Sequence, residues 1–390
     1  MTLSWSLVLI SIVITPQIFS FRYFNIRYYC LTNVMMMRCF LHKMMLLISI
    51  VVCFLILGVT CDSTAQSATY GRILTIYLSS VDLIGTLPTS IGNFQAMSSM
   101  RLHRCKISGT IPSTIGQLTS LQNLYLAENS LSWLIPTSFG NMLSLVDLTL
   151  AFNNLIGPIP DTISALTKLT TLEIGSNPFG FSIPSFIGSM KSLVVLTIYR
   201  SSFTGTIPGS MSALTSLQIL LANGNSLSGS IPSSFRNLLS LDYLRLSSNK
   251  LVGPIPDNIG AFPKLRLLEI SSNSLTGTIP SSISELTLLT EIVLSYNSLS
   301  GTIPTMSALK SLSYLDLSSN YLTAGLSTSV STSTFSYTTL AGTLELENNC
   351  LAFSTSSPYP SRSVTATHCR PTSKYQPYNY MTSSIIVIIY

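Results

Sequence analysis

The chain has 390 residues, of which 46% are hydrophobic and only 9% are Asp, Glu, Lys or Arg, against roughly a quarter in an average soluble domain. It is rich enough in apolar residues to build a core and too poor in charge for an extended disordered chain. The net charge of +6 owes most to Arg22, Arg27, Arg38 and Lys43, ahead of the first acidic residue, Asp62. The rest is nearly neutral, which excludes the basic surface that nucleic acids require.

Residues 1–61 form a hydrophobic N-terminal region. Met1 to Phe21 is uncharged but broken by Pro16 and Gln17, whereas Met44 to Cys61 (MMLLISIVVCFLILGVTC) has no charge and follows Arg38 and Lys43. A basic flank before an apolar run reads as a signal peptide; the run is also just long enough to span a bilayer as a signal anchor. Both readings put the remaining chain outside the cytosol, because the positive flank stays inside. They differ on membrane attachment. The long stretch upstream also suits a translation start at Met44.

Residues 62–326 hold a repeat. Pro88, Pro112, Pro136, Pro160, Pro184, Pro208, Pro232, Pro256, Pro280 and Pro304 recur every 24 residues, each after Ile except Pro88, which follows Leu87. Periods of this length signal a solenoid. In the unit Leu241 to Lys264, Leu241, Leu244 and Leu246 point inward from a short strand, and alternation sends Tyr243 and Arg245 to the other face. Asn249 closes the strand with an amide that satisfies buried backbone groups. Asn129, Asn153, Asn177, Asn225, Asn273, Asn297 and, after a one-residue deletion, Asn320 fill the same slot. Gly253 permits a tight turn, Ile255-Pro256 starts the return, and Ile259 and Phe262 fill the convex side on a short helical turn. The predicted fold is an α/β solenoid, with a parallel sheet on the concave face and short helical or 3-10 turns on the convex face.

The pattern LxxLxLxxNxLxGxIP, as in LRLLEISSNSLTGTIP from Leu265 to Pro280, resembles the plant-type extracellular leucine-rich repeat. That type occurs in ectodomains of receptor kinases and receptor-like proteins, and in polygalacturonase inhibitors. The resemblance implies a second short strand around LxGxIP and a twisted, superhelical arc. It also extends to Gly58-Val59-Thr60-Cys61-Asp62, which is similar to the end of the family's N-terminal cap, although the usual Trp upstream is missing.

Residues 327–369 are expected to be a degenerate last repeat and C-terminal cap: a Ser/Thr-rich insert, then Leu344 to Cys350 as the final coil. Of the seven cysteines, Cys30, Cys39, Cys53, Cys61 and Cys105 lie at or before the second repeat, and Cys350 and Cys369 after the last. That placement points to disulfide-stapled ends in an oxidising compartment. A Cys350–Cys369 bond would close a loop worth roughly 3 kcal/mol. Residues 370–390 read as a disordered tail that ends in a short apolar IIVIIY. No N-x-[ST] sequon occurs, unlike most secreted members of the family.

On the concave face, serines such as Ser247, Ser248, Ser271, Ser272, Ser318 and Ser319 are expected to form a hydroxyl floor. Two clusters interrupt it. One joins Tyr77, Arg101, His103, Arg104, Tyr125, Glu128 and Phe152. The other joins Val195, Tyr199, Arg200, Ile219, Leu221, Tyr243 and Arg245, with the aliphatic members expected as an exposed patch. Tyr and Arg are enriched in binding hot spots. The ligand-binding candidates are therefore Tyr199, Arg200, Tyr243, Arg245, Ile219, Leu221, Arg101, His103 and Tyr125. Glu173, Glu269, Glu291 and Asp316 are expected to keep the sheet soluble, and Trp133 and Phe181 replace the glycine of LxGxIP on one lateral edge.

With only His42, His103 and His368, no catalytic set has supporting spacing, and no metal or cofactor is expected. The expected function is a non-catalytic extracellular scaffold for a protein, peptide or glycan, secreted or membrane-anchored. An inhibitor of a secreted enzyme and an adhesive surface protein are the alternatives.

Overall fold

The computed structural model describes residues 73–323, with the backbone of Val59–Cys61 and Thr343–Glu345. The expectations for the rest of Met44 to Cys61, for Cys350 and Cys369, and for the tail lie outside the described residues. Eleven coils begin within this span, the first five covering residues 73–96, 97–120, 121–144, 145–168 and 169–192.

Each coil contributes three residues or slightly more to a concave sheet of thirteen strands. The strand Val59–Cys61 pairs antiparallel with Ile73–Tyr77, so the last three residues of the apolar run join the sheet. All later pairings are parallel and match equivalent residues, as in Leu172↔Leu196 and Leu244↔Leu268. The register survives the one-residue deletion, where Ile292 faces Leu315. Inward leucines one coil apart therefore stack, and Leu124, Leu148, Leu172, Leu244 and Leu268 are buried. A single coil cannot bury this face alone; the neighbours supply the core.

Lateral strands form a second, interrupted set: four from Gly85–Thr86 to Asn154–Leu155, three from Ser228–Gly229 to Ser274–Thr276, and the pair Ser300–Thr302 and Tyr321–Thr323. Gly109, Gly157 and Gly253 turn here with φ between +76° and +79°, and Trp133 adopts φ +71° in the same place. Trp133 is exposed, so a bulky residue holds a backbone conformation that favours glycine. On the convex side, nine five-residue 3-10 helices run from Thr89–Asn93 to Ser281–Glu285 among the described residues. Each follows a proline, for example Pro136 at φ −62°, whose fixed φ prepares the turn.

Two hydrogen-bond ladders tie the coils. In the first, Asn153 Nδ2 donates to Leu126 O (3.0 Å) of the preceding coil and to Leu150 O (3.0 Å) of its own, while Oδ1 accepts from Leu131 N–H (2.9 Å). Asn129, Asn177, Asn225, Asn249, Asn273, Asn297 and Asn320 repeat this pattern. Cys105 occupies the same slot. It is a free, buried thiol, so the expectation that it takes part in a disulfide-stapled end is not met. Its Sγ reaches Leu78 O at 2.8 Å, replacing the amide's bond to the preceding coil, and burial pushes its thiol pKa up.

The second ladder escaped sequence reasoning. In most of the 3-10 helices the second residue donates to the carbonyl of the helix before it, as in Thr114 to Thr89 O (2.5 Å), Ser138 to Ser113 O (2.6 Å), Ser210 to Ser185 O (2.7 Å) and Asn258 to Ser233 O (2.8 Å); Phe186 is the exception. Gly116, Gly140, Gly188 and Gly260 make room for it. A Cβ on Gly188 would sit 2.2 Å from Ser210 O.

Candidate functional site: the concave face

Parallel stacking puts residues of equal repeat position into rows that run along the solenoid. In the row that holds Tyr77, Arg101 and Tyr125, the Arg101 guanidinium lies between two rings, 5.3 Å from the Tyr77 centroid and 4.5 Å from that of Tyr125. Its buried Nε has no hydrogen-bond partner. His103 Nε2 is 3.5 Å from Glu128 Oε1, and Arg104 is hydrogen-bonded to the same carboxylate. Burial outweighs the attraction of Glu128, so the His103 pKa lies below its ordinary value.

Tyr125 Oη donates to Asp147 Oδ2 at 3.1 Å. Burial, reinforced by Asp147, pushes its pKa to about 12. Thr149 Oγ1 donates to Glu173 Oε2 at 3.3 Å; burial raises the Glu173 pKa, and Asp147 adds to the effect. The Tyr199 ring meets Phe152 edge-on with centroids 6.0 Å apart. It also covers Gly175, where a Cβ would approach the ring to 2.9 Å. Burial moves the Tyr199 pKa to about 12. Arg200 is exposed and lies over Gly224.

Further along, Arg245 Nε is 3.0 Å from Glu269 Oε2, in a geometry that forms no hydrogen bond. Arg266 Nε donates to Asp242 Oδ1 at 2.6 Å, and its guanidinium lies 5.2 Å from the Tyr243 ring centroid. That hydrogen bond raises the Arg266 pKa.

The two sequence clusters thus join into one surface, through Asp147, Glu173 and the Phe152–Tyr199 contact. Asp147 was not a sequence candidate, although its outward strand position beside Tyr125 marked it. The expected aliphatic patch is smaller. Val195 is only 4% exposed, and Ile219 and Leu221 are half-buried, because concave curvature crowds the centre of the sheet. The serine floor also differs from expectation. Ser247, Ser318 and Ser319 are buried, and Ser271 Oγ donates to Ser247 Oγ at 2.9 Å. Asp316 is buried as well and accepts from Ser318 Oγ (2.7 Å), so it orders a turn and adds no solvated charge. Trp133 and Phe181 are exposed on the lateral face with Leu134 and Ile156.

Among the described residues no group of three His, Cys, Asp or Glu is placed to hold a metal, and no helix is long and apolar enough to cross a membrane.

The repeat, the continuous parallel sheet and the 3-10 turns define a leucine-rich-repeat solenoid, and this chain is a leucine-rich-repeat protein of the plant type. Leucine-rich-repeat family signatures match residues 119–179, 216–238, 240–262 and 263–322. Among solved structures the chain is similar to the plant peptide hormone receptor RGFR1 in complex with RGF2, at 33% identity and a TM-score of 0.60, over 71% of this chain and 48% of that one. It is also similar to the HAESA ectodomain of Arabidopsis with a peptide hormone ligand, at 28% identity and 0.62, over 77% and 57%. A plant ice-binding protein matches at 27% identity and 0.58, over 68% of this chain and 87% of the other. The chain spans 44 to 57% of the length of the plant receptor ectodomains. No curated protein sequence matches it.

Proposed function

We propose that this chain is a non-catalytic recognition scaffold on the extracellular side, binding a protein or peptide through the N-terminal two-thirds of its concave face. The observation that carries this reading is the continuous surface from Tyr77 to Arg245. There Arg101, whose buried Nε has no hydrogen-bond partner among the described residues, stands between two tyrosines, and a Phe152–Tyr199 pair separates it from the exposed Arg200. Aromatic and Arg anchors over half-buried floors are the usual centres of binding energy. The similar receptor ectodomains are bound to peptide hormones, which favours a peptide over a glycan. Inhibition of a secreted enzyme would use the same face and differs only in the partner.

Replacing Tyr199, Arg200, Tyr243 and Arg245 together by Ala is expected to remove ligand capture, while Ser248→Ala with Ser272→Ala leaves it intact. Equal capture by both variants would refute the site.

A second reading, adhesion to an extended surface such as ice in place of a single ligand, draws on the serine-rich coils and on the 87% coverage of the plant ice-binding protein. It predicts that purified protein slows ice recrystallisation. Ordinary crystal growth at micromolar protein would remove that reading.

A further inference from the structure

Four sets of hydrogen bonds recur between coils: the concave strand ladder, the asparagine ladder, the lateral strand pairs and the convex ladder. Three of the four thin out at the fifth coil, residues 169–192: the lateral and convex sets at its contact with the fourth coil, and the asparagine ladder at its contact with the sixth.

Laterally, Pro178 stands where other coils offer an N–H to the coil before. Ser226 N donates to Phe203 O at 2.8 Å, and Lys250 to Leu227 O, Ser298 to Leu275 O and Tyr321 to Leu299 O, each at 2.7 Å. Proline has no such donor, and the four-stranded lateral sheet stops at Asn154–Leu155, on the coil before. On the convex side, Phe186 replaces the hydroxyl that would bond the Asp161 carbonyl, and Ser164 replaces the glycine that lets the helices approach.

On the following coil, Ser201 replaces the asparagine. Its hydroxyl turns to Tyr199 O (2.9 Å) and makes no bond back to coil five. The Phe179 N–H, left without an amide oxygen, bonds its own Asn177 carbonyl at 2.9 Å. The same local bond appears at Leu83 N to Val81 O (2.8 Å), where Cys105 fills the next slot.

Compensation is partial. Ser192 Oγ donates to Thr167 O (2.6 Å), Phe179 stacks on Phe203 at 5.5 Å between centroids, and the lateral set resumes toward the sixth coil, where Thr204 N donates to Phe181 O at 3.0 Å. The concave ladder continues unbroken from Asp147 through Thr171 to Val195, and Asn177 still bonds Leu150 O at 3.0 Å.

We propose that the fifth coil is an articulation built into the solenoid. Residues 73–168 and 193–323 behave as two cooperative blocks, hinged on the intact concave sheet and released at the lateral segment 178–182. Repeat stability is a sum over neighbouring interfaces, so a coil with fewer ties to both its neighbours opens first. The lateral segment 178–182 lacks one donor toward the fourth coil and the amide bond from the sixth; at about fivefold for each, its local opening lies ~25-fold above that of the same segment in coils seven to nine. Phe152 lies on one block and Arg200 to Arg245 on the other. The joint therefore sets the spacing across the proposed ligand face; that consequence rests on the concave-face reading, whereas the joint itself does not.

The test is hydrogen–deuterium exchange, read by mass spectrometry on the full chain without ligand. Backbone amides of residues 179–182 are expected to exchange ~25-fold faster than their equivalents at 227–230 and 251–253. The variant Pro178→Ser with Ser201→Asn restores both missing donors and leaves Phe186 packed on the core; it is expected to bring the two regions within about threefold of each other. Asn249→Ser is expected to create a new fast segment at 227–230. Uniform exchange in the unmodified protein overturns the proposal, as does a repaired variant that folds and still exchanges fast at 179–182. Because no ligand enters the experiment, failure of the recognition reading leaves its outcome unaffected.

Discussion

The N-terminal two-thirds of the concave face and its C-terminal third share one backbone and differ in what stands on it. From Tyr77 to Arg245 the outward positions carry stacked Tyr and Arg, a half-buried carboxylate and aromatic edges. From Ser271 onward serines are commoner, with Asp316 folded into its own turn; Glu291, Tyr314 and the exposed Tyr296 remain, but no Arg–Tyr stack is seen there among the described residues. The asparagine ladder beneath is nearly the same in both. The difference between the two regions therefore lies in surface chemistry, with little change in folding requirements.

The largest expected effect tests that separation directly. Asn153→Ala and Asn297→Ala, one under each region, should each cost about 3 kcal/mol, because each strands several buried backbone groups. Urea denaturation measures this, and costs that differ by more than about 1 kcal/mol would show that the scaffold is not shared. On the convex side, Gly188→Ala should cost about 2 kcal/mol through overpacking, since its Cβ would meet Ser210 O at 2.2 Å. Gly209→Ala, whose nearest neighbour is 3.8 Å away, is the control and should be close to neutral.

The smallest effect concerns the half-buried carboxylate of Glu173. Burial raises the Glu173 pKa, so the folded protein holds that proton to higher pH than the unfolded chain does. Stability from this group therefore falls as pH rises through its titration. Glu173→Gln should raise the Tm at neutral pH, and the gain should fade on acidification to where Glu173 is itself protonated. A gain that is constant with pH would assign the effect to packing.

The scaffold was legible in the sequence because its requirements repeat. Ten prolines and eight asparagines on one period fix the turns and the strand ends. The lateral strands came only through family resemblance. Single departures were harder to read. Cys105 looked like a cap cysteine because its position near the N-terminal end outweighed its slot. Ser201 is one hydroxyl among many, and only the missing amide bonds reveal its cost. The convex ladder was within reach, since Gly92, Gly116, Gly140 and Gly188 and the hydroxyls near them keep the period. The burial of Val195 was not, because alternation assigns a face and carries no information about concave crowding.

The most direct measurement compares the unmodified protein with the Tyr199, Arg200, Tyr243 and Arg245 to Ala variant, both immobilised, by interferometry against fractionated secreted plant peptides. The account predicts a fraction that binds the unmodified protein and loses at least tenfold in affinity for the variant. Binding that is unchanged by the four substitutions would contradict it.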